Sequence, residues 1–149
     1  MRSAVDDELQ LAAAYRAALR RFVRRTESIA AAAGLTPERY DLLLAIRAAE
    51  TVGRPVTVST LVEELALRQQ AVTEIVKRAE EAGLVDRERS AADGRVSHLR
   101  LTKEGRRRIM KAFRALTRDR AALATAFHDL DLRFHESVPP DSRRRAQSG

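Results

Sequence analysis

Apolar residues near the start of the chain return at three- and four-residue steps. Leu9, Ala12, Tyr15, Leu19, Phe22 and Val23, with Thr26, lie on one stripe, the period of an amphipathic helix. Alanine is frequent and neither glycine nor proline intervenes, so the pattern predicts a helix over residues 5–33, closed by Gly34. Thr36 as cap, Pro37 in the first turn and Glu38 at the positive end open a second helix. Its Tyr40, Leu42, Leu43, Leu44 and Ile46 leave little polar face, so it is expected to be buried, stopping before Gly53 and Pro55.

A compact group follows. Val56-Thr57-Val58 is expected to be extended and to lead to a cap at Thr57 or Ser59. A short helix then turns Leu61, Val62 and Leu65 inward. After Ala66-Leu67, Val72, Ile75, Val76 and Ala79 mark the inner face of a helix from about Arg68 to Ala82, ended by Gly83. Two short helices joined by a tight turn form a helix-turn-helix. Period two then replaces period 3.6. Leu84–Arg89 and Val96–Leu101 flank the turn residues Ser90–Gly94, which predicts a β-hairpin.

From Thr102 the pattern is helical again. Ile109, Phe113, Leu116, Arg120, Leu123, Phe127, Leu130 and Phe134 follow alternating steps of four and three, and only Arg120 is polar. A stripe at heptad spacing seeks another helix. The expected architecture is mainly α with a small β-hairpin wing: a winged helix-turn-helix whose terminal helices pair with a second copy in a helical homodimer. Helices of about 5–33 and 102–137 are expected to dimerise, with a break near Thr125–His128 left open by the pattern, around a winged-helix lobe of about 36–101. Leu9, Ile109, Phe113, Leu116, Leu123, Phe127, Leu130 and Phe134 are the candidate dimer contacts. Residues 138–149, with Pro139-Pro140 and Arg143-Arg144-Arg145, are expected to be a disordered basic tail.

Composition narrows the functions. The 149 residues hold 28 Lys+Arg and 21 Asp+Glu, a formal charge of +7. Charged residues make up 33%, which argues against a membrane span. The acidic start, Asp6-Asp7-Glu8, is unlike a signal peptide, so a cytoplasmic location is expected. Cysteine is absent, which excludes disulfides, thiolate metal sites and thiol sensing. With three histidines, no visible nucleophile–base pair and no glycine-rich phosphate loop, neither an enzyme, a cofactor nor a metal is expected. Between Arg87 and Lys111, nine basic residues face three acidic ones, pointing to a polyanionic partner.

The face opposite Val72 and Val76 presents Gln69, Gln70, Thr73, Glu74 and Lys77, with Arg68 before it and Arg78 beside it. Glutamine can pair with adenine N6/N7, Thr with a thymine methyl or a phosphate, and Lys or Arg with guanine or phosphate. Glu74 is the exception, and its expected partner is Arg78 four residues on. In the turn Asp93-Gly94-Arg95, Asp93 is expected to hold the Arg95 guanidinium by a charge-assisted bond, presenting it to a minor groove. Arg68, Gln69, Gln70, Thr73, Lys77, Arg78, Asp93 and Arg95 are therefore the candidate DNA contacts. A second reading is a winged-helix module that binds protein without specific DNA contacts. That needs an apolar recognition face, which Gln69, Gln70, Thr73 and Lys77 do not supply.

These residues resemble the MarR family of bacterial transcriptional regulators over about residues 36–108. The carriers are Val56-Thr57-Val58-Ser59-Thr60-Leu61, Val72-Thr73-Glu74-Ile75-Val76-Lys77-Arg78, Glu80-Glu81-Ala82-Gly83-Leu84-Val85-Asp86-Arg87, Asp93-Gly94-Arg95 and Leu99-Arg100-Leu101-Thr102-Lys103-Glu104-Gly105. The resemblance implies an intertwined helical homodimer, its N- and C-terminal helices wound together, on a pseudo-palindromic double-stranded DNA operator, acting as a repressor and released by a small phenolic or anionic effector. It implies that Arg95 is the wing arginine, with Asp93 as its orienting partner. Glu74 departs from the family, which often has a basic residue there, and the chain after Phe127 is short. An effector site between the dimer helices and the winged lobe would draw on Tyr15, Phe22, Tyr40 and Leu44.

Overall fold

The computed structural model describes residues 3–137. The expected tail, 138–149, lies outside the described residues. Six helices and one hairpin follow in the order α1 (Ala4–Ala32), α2 (Pro37–Thr51), α3 (Val58–Leu65), α4 (Gln69–Glu81), β1 (Val85–Arg89), β2 (Ser97–Leu101), α5 (Lys103–Ala115) and α6 (Thr117–Ser137). They fall into two compact units. One holds residues 3–25 and 116–137, the other Thr26–Ala115. The boundaries differ from the expected lobe of 36–101, since the end of α1 and all of α5 pack with the winged helix.

In the unit Thr26–Ala115 the local signals act as their chemistry requires. Gly34, at φ +73°, closes α1 while the N–H of Leu35 returns to the carbonyl of Ala30 at 2.9 Å, a left-handed glycine cap. Thr36 caps α2 by accepting the N–H of Arg39. Thr57 caps α3 in a reciprocal box with Thr60. Val58 is therefore already helical, and the expected extended stretch shrinks to Val56, whose carbonyl accepts the N–H of Leu99 at 2.8 Å. Leu42, Leu43, Ile46, Leu61, Val72, Val76, Leu84 and Ile109 are buried together with Val85 and Leu99. Such burial contributes roughly 1.5–3 kcal/mol per large side chain.

The hairpin is antiparallel, with Val85 opposite Leu101 and Arg87 opposite Leu99. Val85, Leu99 and Leu101 face the core. Its exit is tied to its entrance. Thr102 donates its hydroxyl to the carbonyl of Gly83 at 2.7 Å and accepts the N–H of Gly105 at 3.0 Å. A side chain at Gly105 would strike the carbonyl of Leu84, so only glycine lets α5 start here. The C-terminal carbonyls of α1 receive cations from α5: Arg108 reaches Gly34 O at 2.9 Å and Lys111 reaches Ala32 O at 3.4 Å. Positive charge belongs at that negative helix end.

The unit of residues 3–25 and 116–137 has a thinner core of Leu11, Ala18, Leu116 and Leu130. Tyr15 and Phe127 meet with ring centroids 5.5 Å apart, and Arg25 pairs with Asp119 at 3.4 Å. One expectation is corrected. The helix expected over 102–137 is broken at Leu116, where Asp119 supplies the acidic first turn of a new helix, and α6 runs unbroken through Thr125–His128. On α1, Leu9, Leu19 and Val23 are exposed while Leu11 and Ala18 are buried.

Candidate nucleic-acid interface

α4 starts after Arg68, which makes no side-chain cap, so its first N–H groups are not held by a capping oxygen. The helix ends in a left-handed turn at Gly83, φ +70°. Val72, Val76 and Ala79 fix its inner face by full burial. That rotation leaves Gln69, Gln70, Thr73, Glu74, Lys77 and Arg78 exposed. β1 is braced against α4 by Arg87 and Glu80 at 2.7 Å. Arg68, Gln70, Ala71 and Glu74 line a shallow depression at the start of the helix.

Glu74 accepts the Nε–H of Arg78 at 3.0 Å, the intrahelical pair expected from their spacing. The pair offsets both charges, so Arg68 and Lys77 carry the positive charge of this face. In the hairpin loop the geometry differs from the expectation. Asp93 Oδ1 accepts the backbone N–H of Arg95 at 3.0 Å. Among the described residues no ion pair joins Asp93 to the Arg95 guanidinium. The physical reason is span: two residues apart in a tight turn, a carboxylate closes an Asx-turn on the nearby N–H, and Arg95 itself stays exposed.

The four candidate effector residues divide between the units. Tyr15 meets Phe127 at a tilt of 45°, and Phe22 lines a cavity of about 180 Å³ with Ala18, Arg21, Asp119 and Leu123. Leu44 lines an apolar cavity of about 280 Å³ with Ala48, Ile109, Met110 and Phe113. Tyr40 is buried in the winged-helix core. Of the dimer candidates, Ile109, Leu116 and Leu130 are buried within the chain, Leu123, Phe127 and Phe134 are half-buried, and Leu9 and Phe113 are exposed. The expected single stripe is thus divided by the break at Leu116.

One functional side chain escaped the sequence reading. Glu50, in the last turn of α2, accepts the N–H of Leu101 at 3.1 Å and the Nη2–H of Arg106 at 3.1 Å. A carboxylate at the negative end of a helix is unfavourable unless something else holds it, and that anomaly was the available signal. Arg106 and the end of β2 provide the hold, joining α2, wing and α5.

Residues 33–96 match the MarR family. No curated protein matches the sequence. Among solved structures, a MarR family transcription regulator aligns over 97% of this chain and 96% of its own, with TM-score 0.71 and 21% identity. MarR from Oenococcus oeni aligns over 89% of this chain and 96% of its own, with TM-score 0.65 and 19% identity. A cysteine-to-serine mutant of MarR from E. coli, complexed with operator DNA, aligns over 90% of this chain and 97% of its own, with TM-score 0.66 and 18% identity. At these identities the likeness is one of fold.

Proposed function

As a chain with the MarR-family winged helix at residues 33–96 and the fold of those regulators throughout, the protein is, we propose, a sequence-specific DNA-binding transcriptional regulator. One observation carries this reading. α4 fully buries Val72, Val76 and Ala79 and exposes a row of polar side chains, Gln69, Gln70, Thr73 and Lys77, on the element that precedes the wing. Helix-turn-helix proteins lay such a helix in the major groove, while the wing arginine reaches an adjacent groove.

In this reading Gln69 and Gln70 read adenines, Thr73 meets a thymine methyl or a phosphate, and Arg68 and Lys77 take phosphates or guanine. Arg78 holds Glu74 away from the duplex, and Asp93 shapes the loop that presents Arg95. Exposed Val5, Leu9, Val23 and Leu132 in the unit of residues 3–25 and 116–137 support pairing with a second copy. A homodimer would place two lobes on a pseudo-palindrome. The family likeness supports repression in a bacterial cytoplasm, with release by a small phenolic or anionic effector. The cavity at Leu44, Ile109 and Phe113 is apolar enough to take the ring of such a molecule. Tyr15, Phe22 and Tyr40 do not line that cavity.

Selection of bound sequences from random DNA, repeated with a metabolite panel, tests the proposal. The expected result is an inverted-repeat motif whose binding falls steeply with salt, log K dropping by about 0.9 per phosphate neutralised. Gln70→Ala is expected to change the selected bases. Enrichment of no motif would favour the protein-interaction reading.

A further inference from the structure

The unit Thr26–Ala115 holds a second, polar cavity of about 540 Å³, between the end of α2, the chain after Gly53, β2 and the start of α5. Its charged wall is Arg47, Arg54, Arg100 and Arg106, with one carboxylate, Glu50. Glu50 is already shared. Its Oε1 accepts the N–H of Leu101, while Oε2 takes Arg106 at 3.1 Å and Arg47 at 3.5 Å. A well-made arginine–carboxylate bond is about 2.7–2.9 Å, so Arg47 is held poorly, and its Nε–H is buried without an acceptor. Arg54 and Arg100 turn to Glu64 and Glu88, neither of which lines the cavity. Those pairs are solvent-exposed, and exposed pairs hold a side chain weakly.

Four guanidinium groups around one carboxylate leave a concave wall with excess positive charge. We propose that this cavity binds a small multivalent oxyanion, a compact molecule with two or more carboxylate or phosphate groups. Arg47, the least exposed of the four, holds it at the inner end, and Arg54, Arg100 and Arg106 close on it from the more exposed wall. The Arg47 side chain is only 32% exposed, which suits a small ligand that enters the cavity better than a phosphate fixed on a duplex. The incoming anion competes with Glu50 for Arg47 and Arg106. Because Glu50 also holds the N–H of Leu101, occupancy acts on the joint between α2 and the last residue of β2. The anion site does not depend on the DNA-binding reading; only its effect on the wing does.

Isothermal titration of the full chain with citrate and with pyrophosphate, in the absence of DNA, tests the site separately from operator binding. The expected result is saturable binding of one anion per chain. Binding of citrate alone identifies polycarboxylates, and of pyrophosphate alone polyphosphates; either supports the site. Arg106→Gln and Arg54→Gln are each expected to weaken it about tenfold, about 1.4 kcal/mol. Glu50→Gln keeps an oxygen for the N–H of Leu101 but withdraws the competing charge, and is expected to tighten it several-fold. Arg24→Gln on α1 serves as the unaffected control. Arg54→Gln alters an exposed rim residue, so it decides the matter even where the Glu50 variant fails to fold. Absence of saturable binding to wild type, or binding untouched by Arg54→Gln and Arg106→Gln, would overturn the proposal.

Discussion

Asp93 holds Arg95 by its backbone: the carboxylate accepts the Arg95 N–H at 3.0 Å across the turn at Gly94. The contact needs an oxygen, not a charge. Asp93→Asn is therefore expected to keep wild-type operator affinity, whereas Asp93→Ala loosens the loop and weakens binding. Arg95→Ala is expected to weaken binding across sequences and to reduce the salt slope by about 0.9, the share of one phosphate contact. Fluorescence anisotropy over a salt series checks all three variants. Loss of binding in Asp93→Asn equal to that in Asp93→Ala would show that the charge acts on the guanidinium after all.

Leu9 and Val23 are 65% and 50% exposed on α1. In a symmetric dimer each substitution acts twice. Leu9→Glu is expected to cost on the order of 3 kcal/mol per dimer, roughly a hundredfold in dissociation constant. Light scattering over a dilution series reads this directly. An unchanged dimer, or a wild type that is monomeric throughout, would remove the second copy from the account.

Gly105 has no room for a side chain against the Leu84 carbonyl. Gly105→Ala is expected to destabilise the winged lobe by about 3 kcal/mol, the upper part of the usual overpacking range. Chemical denaturation followed by circular dichroism measures it. A change below about 1 kcal/mol would mean that α5 can slide away from β1 at little cost.

Ala66 ends α3 in a left-handed conformation, φ 52° and ψ 39°. That conformation costs an L-residue roughly 1–2 kcal/mol, part of which glycine returns as chain entropy. Ala66→Gly is expected to raise stability by up to about 1 kcal/mol. A lower melting temperature for the variant would contradict the strain.

Glu104 sits between Arg107 and Arg108, whose hydrogen bonds lower its carboxyl from 4.5 to about 2. A carboxyl lowered by folding stabilises the native state above its unfolded value. That contribution fades as pH falls from about 4.5 towards 2. Thermal melting between those limits is expected to show a smaller loss in Glu104→Gln than in wild type. Because the group is exposed, about 0.5 M salt is expected to shrink the difference. Identical pH profiles for both proteins would deny Glu104 this part.

Much of the molecule was legible along the chain because its signals are local. Thr36-Pro37, Thr57 and Gly83 set helix ends through groups no more than five residues away. The face of α4 and the Glu74–Arg78 pair follow from the period of a helix, which is the same in every context. The turn to period two announced the hairpin in the same way.

Tertiary packing decided the rest. The rotation of α1, which buries Leu11 and Ala18 and leaves Leu9 and Val23 outside, depends on which neighbour the helix meets, and both stripes satisfy helical spacing. The heptad pattern runs straight through Leu116, yet the chain breaks there, because apolar repeats say where a face lies but not whether the backbone continues. Glu50 finds Leu101 and Arg106 across 51 and 56 positions, and no local propensity carries information over that distance. Short-range hydrogen bonding and helical period thus wrote the elements and the exposed face of α4 into the sequence, while the bracing of the wing and the arginine-lined cavity exist only once distant segments are brought together.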